Sequence, residues 1–133
     1  CFFMPSATRC LEPRILKTIE KAPYFVPPYE HYNDTVSAWA AAMGLKLINF
    51  TPGSTSNADY TTPQMKNYRS SQTIYENILS LEQREGLNGH LLLFHIGTVE
   101  ARTDKFYRSH LKMLIRELKR RGYKINNLKK HTL

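Results

Sequence analysis

The chain predicts an α/β fold of parallel β/α units, and three observations carry that prediction. Short apolar runs at residues 24–26, 45–49 and 90–94 each stop abruptly in polar or conformationally constrained residues. Between them lie segments whose apolar residues recur at helical spacing. Glycines at 44, 86 and 122 close those segments. Strand-like and helix-like pieces in alternation are what a parallel sheet with crossover helices requires.

Taken in order, residues 2–4 read as a short strand. Pro13 suits a first helical position, and Ile15, Leu16 and Ile19 form one face of a helix running to about Lys21. Residues 24–26 form a strand that Pro27-Pro28 must end, because proline cannot continue a ladder. Asn33, Asp34 or Thr35 can cap the next helix. Its Val36, Trp39, Ala40 and Met43 share a face, and Gly44 closes it. A strand at 45–49 leads into a long polar stretch, 51–67, whose length marks a functional or mobile loop. Ser70 or Ser71 opens a helix with Ile74, Ile78 and Leu81 inward, ending at Gly86. Asn88-Gly89 is a turn. Residues 90–94 are apolar on both alternating faces apart from His90, as in a strand covered on both sides. Thr103 or Asp104 caps a last helix with Tyr107, Leu111, Leu114, Ile115 and Leu118 inward. Gly122 stops it before a final strand at 123–125. With no internal repeat and no low-complexity linker, residues 1–133 read as a single unit.

At 133 residues the chain can bury a core. It falls short of a complete (β/α) barrel, which takes about 200 residues or more. Its hydrophobic fraction of 41% points to a folded domain with a polar surface. No apolar run approaches the ~18–20 residues of a membrane span. The chain opens at Cys1 without the n-region and h-region of a signal peptide, so the reading is a leader already removed or a start inside a longer protein. Cys1 and Cys10 are too few for a disulfide framework and lack metal spacing. The formal charge of +8 lies largely in Lys112–Arg121 and Lys124–Lys130, a helix and a tail. A solvated basic face, favoured by the helix dipole, explains it better than a nucleic-acid footprint, which needs interleaved aromatics or a reading motif. No nucleic-acid partner is therefore expected.

In parallel α/β architectures the carboxyl ends of the strands open on one rim, where ligands bind. Here those ends are Pro27-Pro28-Tyr29-Glu30-His31, Phe50-Thr51-Pro52-Gly53-Ser54 and His95-Ile96-Gly97-Thr98. His95 ends an apolar strand, where partial burial can tune an imidazole for proton transfer. Position alone fits a core histidine bonded to a carbonyl slightly better. The prolines before Tyr29 make a plain strand-ending turn. Asp59 and Tyr60 lie in the long polar stretch and read as solvated loop residues or substrate contacts. None of the five histidines, His31, His90, His95, His110 and His131, falls in a His-x-x-x-His or Glu-x-x-His pattern. His90 and His95 would point to opposite faces of a strand. No complete metal site is expected within these residues.

Pro27-Pro28-Tyr29 resembles the Arg-Pro-Pro-Tyr-Gly segment of the polysaccharide deacetylase family (NodB homology, carbohydrate esterase family four), and Leu93-Phe94-His95 resembles its Leu-x-His segment. Asn33 agrees with the pattern after the first segment, and the run from Leu114 to Tyr123 is similar to the closing helix and strand. The resemblance covers about Leu11 to Leu128. It departs at Val26, where the family has an arginine that orients a catalytic aspartate, at Glu30, where it has glycine, and at Ile96, where aspartate usually follows the histidine. The Asp-Asp and His-x-x-x-His segments that precede these motifs in the family do not occur in the chain.

The resemblance implies part of a distorted (β/α) barrel of the NodB type, its C-terminal half. It also implies hydrolysis of N- or O-acetyl groups on a carbohydrate, with a Zn-like divalent ion and a base supplied by the absent upstream half. His95 would be the general acid and the Tyr29 N–H an oxyanion donor. Pro28, Glu30, His31, Asn33, Asp59 and Tyr60 would face the substrate. Alone the chain would be inactive. A non-catalytic, glycan-binding relative is the alternative. A secreted or envelope location follows from the resemblance alone. Pairing with the missing half or with another copy follows from the open edges of half a sheet.

Overall fold

Two residues of parallel pairing make the one sheet found among the described residues. In the computed structural model, which describes residues 23–125, β1 (Tyr24–Phe25) pairs with β2 (Lys46–Leu47) in register Tyr24 to Lys46 and Phe25 to Leu47. The expected strand at 2–4 and helix at 13–21 lie outside the described residues. The chain forms two compact units, divided between Asn49 and Phe50.

The first unit holds β1, a short turn, α1 (Asp34–Ala42) and β2. The Asn33 side chain caps α1 by accepting the Val36 N–H at 2.9 Å. Of the predicted apolar face only Ala40 is buried. Trp39 and Met43 remain more than half exposed. Gly44 has a φ of 70°, the left-handed conformation that lets the chain turn back into β2 at little cost.

The second unit is built on α2 (Ser71–Glu85), α3 (Phe106–Ser109) and α4 (Leu111–Arg120). Ser70 caps α2, its Oγ accepting the Thr73 N–H at 3.0 Å. Ile74, Ile78 and Leu81 are buried at the predicted spacing. They pack with Leu87, Phe94, Phe106, Leu114 and Leu118 in one core.

Three features of this unit differ from the sequence reading. The last helix is broken at His110 into α3 and α4, so Phe106, Leu114 and Leu118 are buried and Leu111 packs against them, while Tyr107 is 45% exposed. Asp104 does not cap that helix. Its carboxylate accepts the Ser71 N–H at 2.6 Å and so serves the first turn of α2. Burial raises the Asp104 carboxyl, but the Ser71 backbone N–H and side chain, then Arg102 and His110, outweigh it and leave it below its ordinary value. No strand is assigned at 90–94 or 123–125 among the described residues. At the second of these the Tyr123 N–H closes α4 on the Leu118 carbonyl, and the Tyr123 hydroxyl accepts the Leu87 N–H at 2.9 Å.

The basic surface of α4 is internally paired in part. Glu117 accepts from Arg120 at 2.7 and 2.8 Å and from Arg121 at 2.7 Å. Those guanidiniums, Arg120 first, hold its carboxyl down to about 2. Arg121 also pairs with Glu82 of α2. Among the described residues no helix is long and apolar enough to cross a membrane.

Candidate functional site

The long polar stretch is an ordered scaffold. Ser54 accepts the Ser56 N–H at 3.2 Å and donates its hydroxyl to Ser56 Oγ at 3.1 Å, with both serines fully buried. Thr55 between them takes a left-handed φ of 56° and enters the 3₁₀ helix Ser56–Tyr60. Asn77 of α2 holds that residue, its Nδ2 donating to Thr55 Oγ1 at 3.0 Å.

In a 3₁₀ helix, residues i and i+3 eclipse. Ser56 and Asp59 therefore project to one side, towards the segment 91–95. Ser56 Oγ accepts the Leu93 N–H at 3.2 Å, and Asp59 Oδ2 accepts the His95 N–H at 2.7 Å. Upstream, Thr51 Oγ1 accepts the Leu91 N–H at 3.0 Å, and its own N–H bonds Leu91 O at 2.9 Å. The N–H groups of residues 91, 93 and 95, one side of a period-two chain, are thus all accepted by side-chain oxygens. Among the described residues, side-chain oxygens thus take the place of a strand ladder along this segment.

The same helix completes the site. Asp59 Oδ1 lies 2.6 Å from His95 Nδ1, and the carboxylate is only 1% exposed. The imidazole keeps about a third of its surface, at 32%. The Tyr60 ring meets it edge-on at 5.3 Å and 68°, itself 42% exposed. A buried carboxylate gripping both the backbone and the ring of one histidine leaves that ring little freedom to rotate. Asp59, which the sequence reads as a solvated loop residue or a substrate contact, is in the structure the group that orients His95.

The other predicted residues lie in the first unit. Pro27 is buried and Pro28 exposed. Within the turn Pro28–Glu30, Tyr29 and Glu30 both take left-handed φ values, 55° and 58°. Glu30 N–H bonds Pro27 O at 3.0 Å, His31 N–H bonds Pro28 O at 3.3 Å, and the Tyr29 N–H has no acceptor among the described residues. Asn49 Nδ2 pins the turn by donating to Glu30 O at 2.9 Å. The Tyr29 side chain is 86% exposed, and His31 and Tyr32 are exposed as well. Asn33 is occupied in capping α1.

Two consecutive left-handed residues other than glycine store strain of about 1–2 kcal/mol each. Glu30→Gly is therefore expected to raise stability by about 0.5–1 kcal/mol, after allowing for the greater freedom of glycine in the unfolded chain. Urea unfolding of the two proteins measures this, and an unchanged or lower midpoint would count against strain at this turn.

Sequence reasoning missed Arg102, whose guanidinium is fully buried. Nothing in the polar run around it signals burial, because most of its partners, Thr61 O, Arg69 O and Ser71 Oγ, are more than thirty residues away. Among the described residues no three His, Cys, Asp or Glu side chains could hold a metal ion together. No family model matches the chain, and neither does any curated protein or solved structure.

Proposed function

We propose that the chain is the proton-donating part of a polysaccharide deacetylase-like hydrolase, which removes N- or O-acetyl groups from a carbohydrate. The observation that carries this reading is the buried Asp59 carboxylate bonded to both the Nδ1 and the backbone N–H of a part-exposed His95. A carboxylate can only accept, so with Asp59 ionised the hydrogen stays on Nδ1 and proton exchange runs through Nε2. A protonated His95 gives its Nε2 proton to the leaving amine or alcohol as the bond to the acyl carbon breaks. The buried carboxylate steadies the imidazolium until then. The oxyanion role of the Tyr29 N–H rests on the resemblance alone; in the structure its turn is held by Pro27 and Asn49.

The resemblance to the deacetylase family also implies a divalent ion, which when bound polarises the acyl carbonyl and acidifies water. The described residues do not fit such an ion. The resemblance places ion and base in an upstream half, and no step given to His95 or Tyr29 runs through them. On the same reading the β/α units are part of a distorted barrel of the NodB type. The protein then works at the cell envelope or beyond it, and the chain pairs with its N-terminal half or with a second copy.

The test is acetate release from N-acetylated and O-acetylated oligosaccharides by the longer protein that contains this chain. Release that fails with every acetylated substrate overturns the reading. Val26 and Ile96, which depart from the family pattern, favour one specific alternative, a glycan binder without turnover. That alternative is selected if oligosaccharide binds, is not hydrolysed, and binds equally well to His95→Ala.

A further inference from the structure

We infer that Arg102 is a positioning residue for the Asp59–His95 pair, a clamp that closes the loop between the two. Its catalytic meaning rests on the reading of His95 as proton donor, although the clamp itself is a matter of geometry. The guanidinium has no exposed surface. Nη1 donates to Thr61 O at 2.6 Å and to Arg69 O at 2.7 Å, Nη2 to Ser71 Oγ at 3.3 Å, and Nε to Asp104 O at 2.5 Å. The Asp104 carboxylate lies 3.7 Å away and offsets part of the buried charge, and the Tyr68 ring sits 5.2 Å from the guanidinium carbon. A planar fork with five donors suits this convergence of carbonyls as no other side chain does.

Thr61 connects the clamp to the site. It follows Tyr60 directly, and both its N–H (3.0 Å) and its hydroxyl (2.6 Å) bond the carbonyl of Ala58, which closes the helix that presents Asp59. Arg102 itself continues the chain that leaves His95. A ring therefore runs from His95 to Arg102, across the guanidinium to Thr61, back to Asp59, and across the carboxylate to His95. Bonds at both ends hold the two partners within reach, as a hydrogen bond of 2.6 Å demands.

Amide hydrogen exchange in the full chain tests the inference without any turnover assay. The His95 and Leu93 N–H groups bond the helix that the clamp holds, whereas the Leu91 N–H bonds Thr51 outside the ring. In Arg102→Lys, which keeps the charge and loses the fork, exchange at His95 and Leu93 is expected to quicken about tenfold or more relative to Leu91. Thr61→Val leaves the guanidinium in place and cuts the hydroxyl link to Ala58. It is expected to show the same selective change, and it decides the matter if Arg102→Lys does not fold. Equal acceleration at all three amides, or none, means Arg102 only stabilises the fold and overturns the inference. Selective loosening in a protein that releases no acetate would leave the clamp standing and the hydrolase reading fallen. Acetate release with uniform exchange would do the reverse.

Discussion

Asp59→Asn is expected, on the proposed hydrolase reading, to slow acetate release by the longer protein by about 10²–10⁴-fold while leaving it folded. The amide matches the carboxylate in shape, so its oxygen can still accept the His95 N–H that Asp59 Oδ2 takes at 2.7 Å. Its NH2 group would then face His95 Nδ1, where Oδ1 stood at 2.6 Å. A donor at that position forces Nδ1 to accept and puts the ring hydrogen on Nε2. The neutral ring then loses the Asp59 charge that favours gaining the second proton. The ring stays in place with the wrong tautomer and loses its capacity as an acid. Because Asp59 acts through His95, adding His95→Asn to Asp59→Asn should cost little more than either change alone. Steady-state rates of the two single variants and the double variant check this. An Asp59→Asn rate within about threefold of the parent protein, well short of the effect usual for a positioned acid, would remove His95 from the chemistry.

What the sequence made legible was local. Helix α1 with its Asn33 cap, and α2 with its Ser70 cap and its Ile74, Ile78 and Leu81 stripe, follow from residues within one or two turns of each other. The short parallel pairing of residues 24–25 with 46–47 falls inside two predicted strands. The rest depends on contacts across many residues. Asp59 reads as a loop residue until Thr55 is seen to turn left-handed and enter a 3₁₀ helix that aims it at His95. The segment 90–94 has the composition of a covered strand, yet side-chain oxygens from Thr51, Ser56 and Asp59 stand in for a neighbouring strand. Arg102 gave no signal at all, since a buried arginine is recognised by the carbonyls around it and those belong to residues 61, 69 and 104.

Helix phase was the other source of error, and it leads to the largest stability effect expected here. Phe106→Ala should destabilise the protein by about 3–5 kcal/mol, the range for removing a buried phenylalanine. Phe106 is 1% exposed, and its ring stacks on Phe94 at 4.7 Å with an interplanar angle of 7°. It also stacks with the His110 ring at 5.7 Å. Truncation removes both ring contacts and leaves a cavity beside Ile74, Ile78 and Leu114 in the same core. Such a loss is a large share of the roughly 5–15 kcal/mol that holds a domain folded. Tyr107 was the residue read as inward, and at 45% exposure its replacement by alanine should change stability by about 0.5 kcal/mol or less. Urea midpoints of the two variants distinguish the phases directly. Near-equal losses, or a larger one at Tyr107, would mean that the break at His110 is wrong. Phe94 precedes His95, so the Phe106 ring also supports the chain that carries the proposed proton donor. Phe106→Leu, which keeps the site filled, should therefore retain more of the acetate release than Phe106→Ala at a temperature where both are folded.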